Sequence, residues 1–203
     1  MPIKDLQKAL LAAAEALLAA APDLNRLDGY AGDGDMGITM SEVAMVVKEV
    51  AGSATPMDPA QLLSSCGSAI ARRAPSTSGT LLATGLLRAA KVLPGPPESS
   101  THALARCFRA AMEGIRERGK ASVGDRTLVD GLDAICASLD ESAGEEDWRH
   151  ALGLAAGAAS RAAEATAAMT PRTGRASWVP ERAFGHPDAG CTMLAIVLAA
   201  AAG

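Results

Sequence analysis

The amino-acid sequence predicts an all-α protein, and two observations carry the prediction. Apolar residues recur with helical spacing in eight blocks divided by breakers, and most of them are Ala and Leu, the strongest helix formers. Strand signals are weak, because β-branched residues seldom cluster and no stretch alternates apolar with polar. Small side chains let helix axes approach closely, so this composition predicts tight interhelical contacts.

The blocks run over 3–21, 37–51, 58–73, 78–92, 101–119, 125–142, 146–169 and 188–202. The first contains an apolar stretch, Ala9–Ala21, that superficially resembles a secretory leader. Glu15 interrupts it, and Lys4, Asp5, Gln7 and Lys8 precede it on a helical repeat, so an amphipathic first helix is the better reading. Pro22 supplies its stop. The third block opens on Asp58-Pro59, a capping acid followed by an N-terminal proline, and Asp125 offers a similar start to the sixth. Gly119 ends the fifth. The segment 93–101, L-P-G-P-P-E-S-S-T, reads as a surface turn, since the same helical pattern continues on both sides. One domain spanning 1–203 is expected, long enough for a sizeable core. No stretch is apolar enough to span a membrane.

Bulk chemistry narrows the functional classes. A net charge of −4 and five aromatic residues argue against nucleic acid, which requires basic surface and stacking platforms. Cys66, Cys107, Cys136 and Cys191 are widely scattered, which suits reduced thiols in a cytoplasmic protein better than a disulfide framework or a zinc site. In an antiparallel array with short links, alternate loops fall at the same end. Loops 22–36, 74–77, 120–124 and 170–187 follow the first, third, fifth and seventh blocks, so they are expected to meet and build a composite site.

Four segments in or beside these loops carry chemistry. D-G-Y-A-G-D-G-D-M-G (28–37) places Asp28, Asp33 and Asp35 within eight positions among four glycines. Carboxylates this close repel one another, and a hard cation such as Mg²⁺ relieves the repulsion while sharing its remaining positions with phosphate oxygens. A polar turn ending in an N-cap at Asp35 is the plain alternative, but a cap needs only one carboxylate. The order lacks the repeat and terminal Glu of an EF-hand. A-P-S-T-S-G-T (74–80) opens a helix, where backbone N–H groups and hydroxyls suit an anion as readily as an ordinary Ser cap. G-D-R-T-L-V-D-G-L (124–132) puts Thr127 and Leu128 on a first helical turn. The stretch 170–190 contains Arg172, Arg175 and Arg182, which suit bidentate contact with phosphate. Trp178 and Phe184 in it are expected to be covered, so this long loop reads as one that closes over something. His186 lies within it, whereas His102 and His150 read as surface residues on helices.

Together, L-x-x-L-D-x-x-x-G-D-G-D-x-G, x-S-T-S-G-x-L, G-D-R-T-L-x-D and G-R-A-S-W-x-x-E-R-x-x-G-H-x-D-x-G resemble the nucleotide-binding L subunit of dihydroxyacetone kinases, the DhaL type. The likeness runs from Leu24 to the last helix. It implies a barrel of eight antiparallel amphipathic helices with the nucleotide site at one end. Two Mg²⁺ would be held by Asp28, Asp33 and Asp35. ADP or ATP would be contacted by Met36, Gly37, Ile38, Thr39, Thr77, Ser78, Gly119, Leu128, Arg175, Asp188, Ala189 and Gly190, with Arg175 the candidate catalytic residue. The implied reaction is phosphoryl transfer to a short ketose held on a histidine of a separate K subunit, with a phosphotransferase-type M subunit recharging ADP in the bacterial form. Free ATP exchange, as in fused kinases, is the other donor route, with erythrulose as another acceptor.

The chain departs from the family pattern at four places. Pro75-Ser76 replaces Gly-Gly, Met36 follows the third aspartate where relatives often have His or Thr, Thr39 replaces a common Asn, and D-A-G replaces D-P-G. Proline removes one backbone donor and Met cannot donate. These changes favour the alternative function, a nucleotide-sensing module that docks onto a regulatory partner. A fatty-acid-kinase N-terminal domain shares the D-G-D-x-G loop, but the G-R-A-S-W…G-H-P-D segment argues for the sugar-kinase branch.

Overall fold

The computed structural model describes residues 2–93 and 99–203. Among them the elements are α1 (Ile3–Asp28), α2 (Met36–Ala51), α3 (Pro59–Arg73), α4 (Thr77–Val92), α5 (Ser100–Gly119), α6 (Leu128–Glu141), α7 (Trp148–Thr166), a 3₁₀ turn (Arg175–Trp178), the short α8 (Pro180–Ala183) and α9 (Ala189–Ala202). No strand occurs among the described residues. Each of α1 to α7 packs on its neighbour in sequence; α9 packs on α7 and on α1, which closes the ring into an eight-helix barrel. Residues 94–98 of the expected turn lie outside the described residues.

Local chemistry explains most boundaries. Asp58 caps α3 with a full capping box, accepting from the Gln61 N–H while Gln61 accepts from the Asp58 N–H, and Pro59 occupies the first turn. α5 ends at Gly119, after which Lys120 takes a left-handed φ of 51°. Two expectations fail. Pro22 does not stop α1, which continues to Asp28. A proline forfeits one hydrogen bond in a helix interior, whereas residues on both sides of it, Leu17 and Leu24, are buried in a helix that packs on α2 and α9. The second failure concerns Asp125, which accepts the Ser122 N–H instead of opening α6. Thr127 caps that helix, with Asp130 completing the box.

The barrel wall is thin because its contacts are small. A Cβ on Gly37 would lie 1.9 Å from the Ala21 carbonyl oxygen, so α1 and α2 touch backbone to backbone there. Leu24, Met40, Leu62, Ile70, Ile135 and Leu139 are fully buried. The last helix, AGCTMLAIVLAAAA, is apolar nearly all round and is flanked by α1, α6 and α7. The ends of the barrel differ. One encloses an apolar cavity of about 260 Å³ lined by residues such as Leu10, Leu63, Phe108 and Trp148; the other gathers the four polar loops. All four cysteines are buried and none forms a disulfide. No described helix is long and apolar enough to cross a membrane.

Candidate functional site

Because α1 runs past Pro22, Asp28 is the last residue of a helix and not a loop residue. Its Oδ2 accepts the Gly34 N–H at 2.8 Å and the Asp35 N–H at 3.2 Å, curling the loop back over the helix end. Gly34 turns the chain with φ 74°. Asp35 sits at the N-cap position of α2 yet its side chain caps nothing. Asn25, one helical turn before Asp28, does that work: its Oδ1 accepts the Gly37 N–H at 2.6 Å and the Ile38 N–H at 3.3 Å. The Asp35 carboxylate is thereby released. Asp28, Asp33 and Asp35 each offer an oxygen within 4.8 Å of the others, with Asp33 and Asp35 exposed. An all-oxygen, all-anionic donor set on a tight loop fits a hard divalent cation such as Mg²⁺.

These carboxylates border a cavity of about 540 Å³ to which the loops after α1, α3, α5 and α7 all contribute. Opposite them is the N-terminus of α4. Ser76 caps it by accepting the Gly79 N–H at 3.0 Å, and Pro75, Thr77 and Ser78 complete that wall. Gly79 is required, since a Cβ there would lie 2.1 Å from the Ala74 carbonyl oxygen. Leu82, Leu128 and Met193 supply apolar lining. Asp188 caps α9 by accepting the Cys191 N–H at 2.8 Å. Burial pushes its carboxyl pKa up, opposed by that N–H and by the charge of Arg126.

The α7–α9 connection folds over the mouth and rests on the aspartate loop at three points. Arg175 forms an ion pair with Asp33. Arg182 donates to the Gly29 carbonyl at 3.3 Å. The ring of His186 stacks on Tyr30 with centroids 3.4 Å apart and planes 3° from parallel. The two aromatics expected to be covered are not: Trp178 is 79% and Phe184 69% exposed. The short helical turns insert Ala183 instead, which is fully buried, and this leaves Phe184 outside. His102 and His150 are on the surface.

Of the residues singled out from sequence, Met36, Thr77, Ser78, Leu128, Arg175, Asp188, Ala189 and Gly190 line the cavity together with the three aspartates. Gly37, Ile38, Thr39 and Gly119 do not. Gly37 is spent on the α1 contact, Thr39 is buried, Ile38 faces solvent, and a Cβ on Gly119 would meet only Leu81. Sequence reasoning passed over Asn25, Tyr30 and Arg126. An asparagine three residues before the first aspartate was the available signal for Asn25, but its cap reaches into the next helix, twelve residues on.

The DAK2 domain, as a family model, matches residues 30–203, the greater part of the chain. The chain belongs to the DAK2 domain family. It is 38% identical over 194 residues to a D-erythrulose kinase of Mycolicibacterium smegmatis, covering 93% of this chain and 33% of that protein. It is 31% identical over 176 residues to the ADP-binding subunit DhaL of the PEP-dependent dihydroxyacetone kinase of Escherichia coli, covering 86% of this chain and 84% of that subunit. The dihydroxyacetone kinase of C. freundii, solved in complex with AMP-PNP and Mg²⁺, superposes with a TM-score of 0.76 at 26% identity, over 97% of this chain and 33% of that one. This DAK2 chain thus spans about a third of the length of the two longer kinases and most of the length of DhaL.

Proposed function

We propose that this DAK2 chain is the nucleotide- and Mg²⁺-binding component of a dihydroxyacetone-type kinase, transferring a phosphoryl group to a short ketose held by a K subunit or domain. The observation that carries the reading is the meeting of three carboxylates, the N-terminus of α4 and Arg175 around one cavity. Phosphoryl transfer demands positioning and charge neutralisation more than a protein nucleophile. The site holds no Ser-His or Cys-His pair; His186 stacks on Tyr30 and Cys191 donates to the Thr127 carbonyl. The substrate's own hydroxyl would attack, and a partner that presents it completes the reaction. The E. coli relative's name as an ADP-binding subunit, and the Mg²⁺ and AMP-PNP in the C. freundii kinase, support the same division of labour.

Each residue set has its own task under this reading. Mg²⁺, when bound by Asp28, Asp33 and Asp35, supplies charge neutralisation to the phosphate oxygens. The backbone N–H groups and hydroxyls at Thr77 and Ser78 hold a phosphate at the positive end of α4. Leu82, Leu128 and Met193 form an apolar wall suited to a nucleobase or ribose face. Arg175 already touches Asp33 and is within reach of charge developing beside it. We infer that two Mg²⁺ are held and that the phosphoryl donor is ATP, either bound from solution or regenerated in place through an M subunit.

The sensing alternative has a specific observation behind it, since Pro75 and Met36 both line the cavity, Pro75 has no N–H to donate and the Met36 side chain has no donor, at positions where the family pattern has Gly and His or Thr. Calorimetric titration of ADP and ATP, with Mg²⁺ and again with EDTA, separates the possibilities. Tight binding lost in EDTA is expected. Asp33→Ala should abolish that Mg²⁺-dependent binding and leave helicity intact, and unchanged affinity in this variant would sink the metal assignment. Binding without transfer to dihydroxyacetone or erythrulose, with a K partner present, would favour the sensor.

A further inference from the structure

Arg126 has the geometry of a residue held in place for a purpose. It is 5% exposed, yet it carries a guanidinium, and its backbone takes a left-handed φ of 61°. L side chains avoid that region, and such strain persists only where the surroundings over-determine it. Its side chain donates to three carbonyls on the far side of the sequence. Nε reaches the Thr166 oxygen at 3.0 Å; Nη2 reaches Ala183 at 3.0 Å and His186 at 2.6 Å. Thr166 is the last residue of α7, and its carbonyl, which also accepts the Met169 N–H at 3.0 Å, lies at the negative end of a 19-residue helix where a cation is favoured. The other two hold the end of α8, at Ala183, and the segment that follows it, at His186.

The connections on either side of Arg126 lead into the cavity. Thr127, the next residue, caps α6 and its carbonyl accepts from Cys191 in α9. Thr166, bound through its carbonyl, accepts the Asp188 N–H on its hydroxyl at 2.8 Å. His186, bound through its carbonyl, lays its ring on Tyr30 in the aspartate loop. One buried guanidinium therefore joins the α5–α6 turn, the end of α7 and the α7–α9 connection, alongside backbone bonds from the Arg172 N–H to the Asp125 carbonyl and from the Gly185 N–H to the Ala167 carbonyl. A surface arginine would be redundant here. A planar fork with several donors is the group that can bind carbonyls from separate directions.

We propose that Arg126 is a positioning residue that fixes the α7–α9 connection over the nucleotide site, so that Arg175 and the Asp188–Gly190 turn are presented to the phosphates. It also borders the cavity, but its three side-chain hydrogen bonds all go to the carbonyls of Thr166, Ala183 and His186, and it acts through them. The consequence for nucleotide rests on the kinase reading above; the fixing of the loop does not.

The experiment compares the wild-type chain, Arg126→Ala and Arg126→Lys by amide hydrogen exchange and by titration with ADP and Mg²⁺. Arg126→Ala is expected to speed exchange at least tenfold across 174–188 while α2 and α3 exchange as in the wild type. ADP affinity should fall at least tenfold, and methylguanidinium should restore both readings. Arg126→Lys, which keeps the charge but not the fork, should fall between. A merely structural role would speed exchange throughout the barrel alike and would not be restored by methylguanidinium; that result overturns the proposal. If Arg126→Ala does not fold, wild-type exchange across 174–188 in Arg126→Lys does the same. Should the wild type itself bind no ADP, the nucleotide reading fails, while the exchange result still decides whether Arg126 fixes the loop.

Discussion

Single side chains at the site divide into those that present charge and those that free others to do so. Asn25 belongs to the second kind. By accepting the N–H groups of Gly37 and Ile38 it leaves the Asp35 carboxylate without a capping duty. Asn25→Ala is expected to cost about 1 kcal/mol, the usual loss for an N-cap, read as a lower urea midpoint. It should also weaken Mg²⁺-dependent nucleotide binding, because Asp35 would turn to cap α2. Arg175 is of the first kind, and its ion pair with Asp33 is exposed enough that the pair itself contributes little stability. Arg175→Ala should lower phosphoryl transfer by about 10²-fold, the scale for one electrostatic donor in a transition state, with a much smaller change in ADP affinity. An equal loss in both measurements would make it a ground-state contact.

At the scale of elements, the helix ends matter more than the helix middles. α1 delivers Asp28 on a rigid terminus because it continues through Pro22. Proline there lacks the N–H that would meet the Leu18 carbonyl, and the residue is exposed. Pro22→Ala is therefore expected to stabilise the fold by about 1–2 kcal/mol, the helix-interior penalty less the entropy gained by the unfolded chain. A lower melting temperature in this variant would mean that Pro22 shapes the helix in a way the barrel needs. Most starts were legible: Asp58-Pro59 and Ser76 carry their capping chemistry in adjacent residues, and the structure uses both. The Asp125 start was misread because two acids, Asp125 and Asp130, lie close to Thr127, and only the folded turn decides which of them completes the cap.

The whole molecule adds a pH dependence. Asp188 is buried at the start of α9 and its carboxyl is raised from the ordinary 3.8, chiefly by desolvation. Its folded form holds its proton to higher pH than its unfolded form does, so the contribution to stability is full below about 3.8 and is lost as pH rises through the folded value. Asp188→Asn keeps an acceptor for the Cys191 N–H and removes the titration. The wild type should lose stability relative to this variant as pH is raised from 3.5 towards neutrality; parallel stability curves for the two proteins would refute the buried-carboxyl account.

The sequence by itself determined the helical class, the number of long helices, the alternate loops that build the site, and the aspartate cluster. These follow from periodicity, composition and spacing, all of which act over a few residues. Tertiary structure alone decided that α9 closes the ring onto α1, that Asn25 and not Asp35 caps α2, that Trp178 and Phe184 face solvent, and that Arg126 spans three segments. Each of those depends on groups brought together from distant positions, such as the 60 residues between Arg126 and His186. Local chemistry leaves several partners equally available, and only the packed barrel chooses among them.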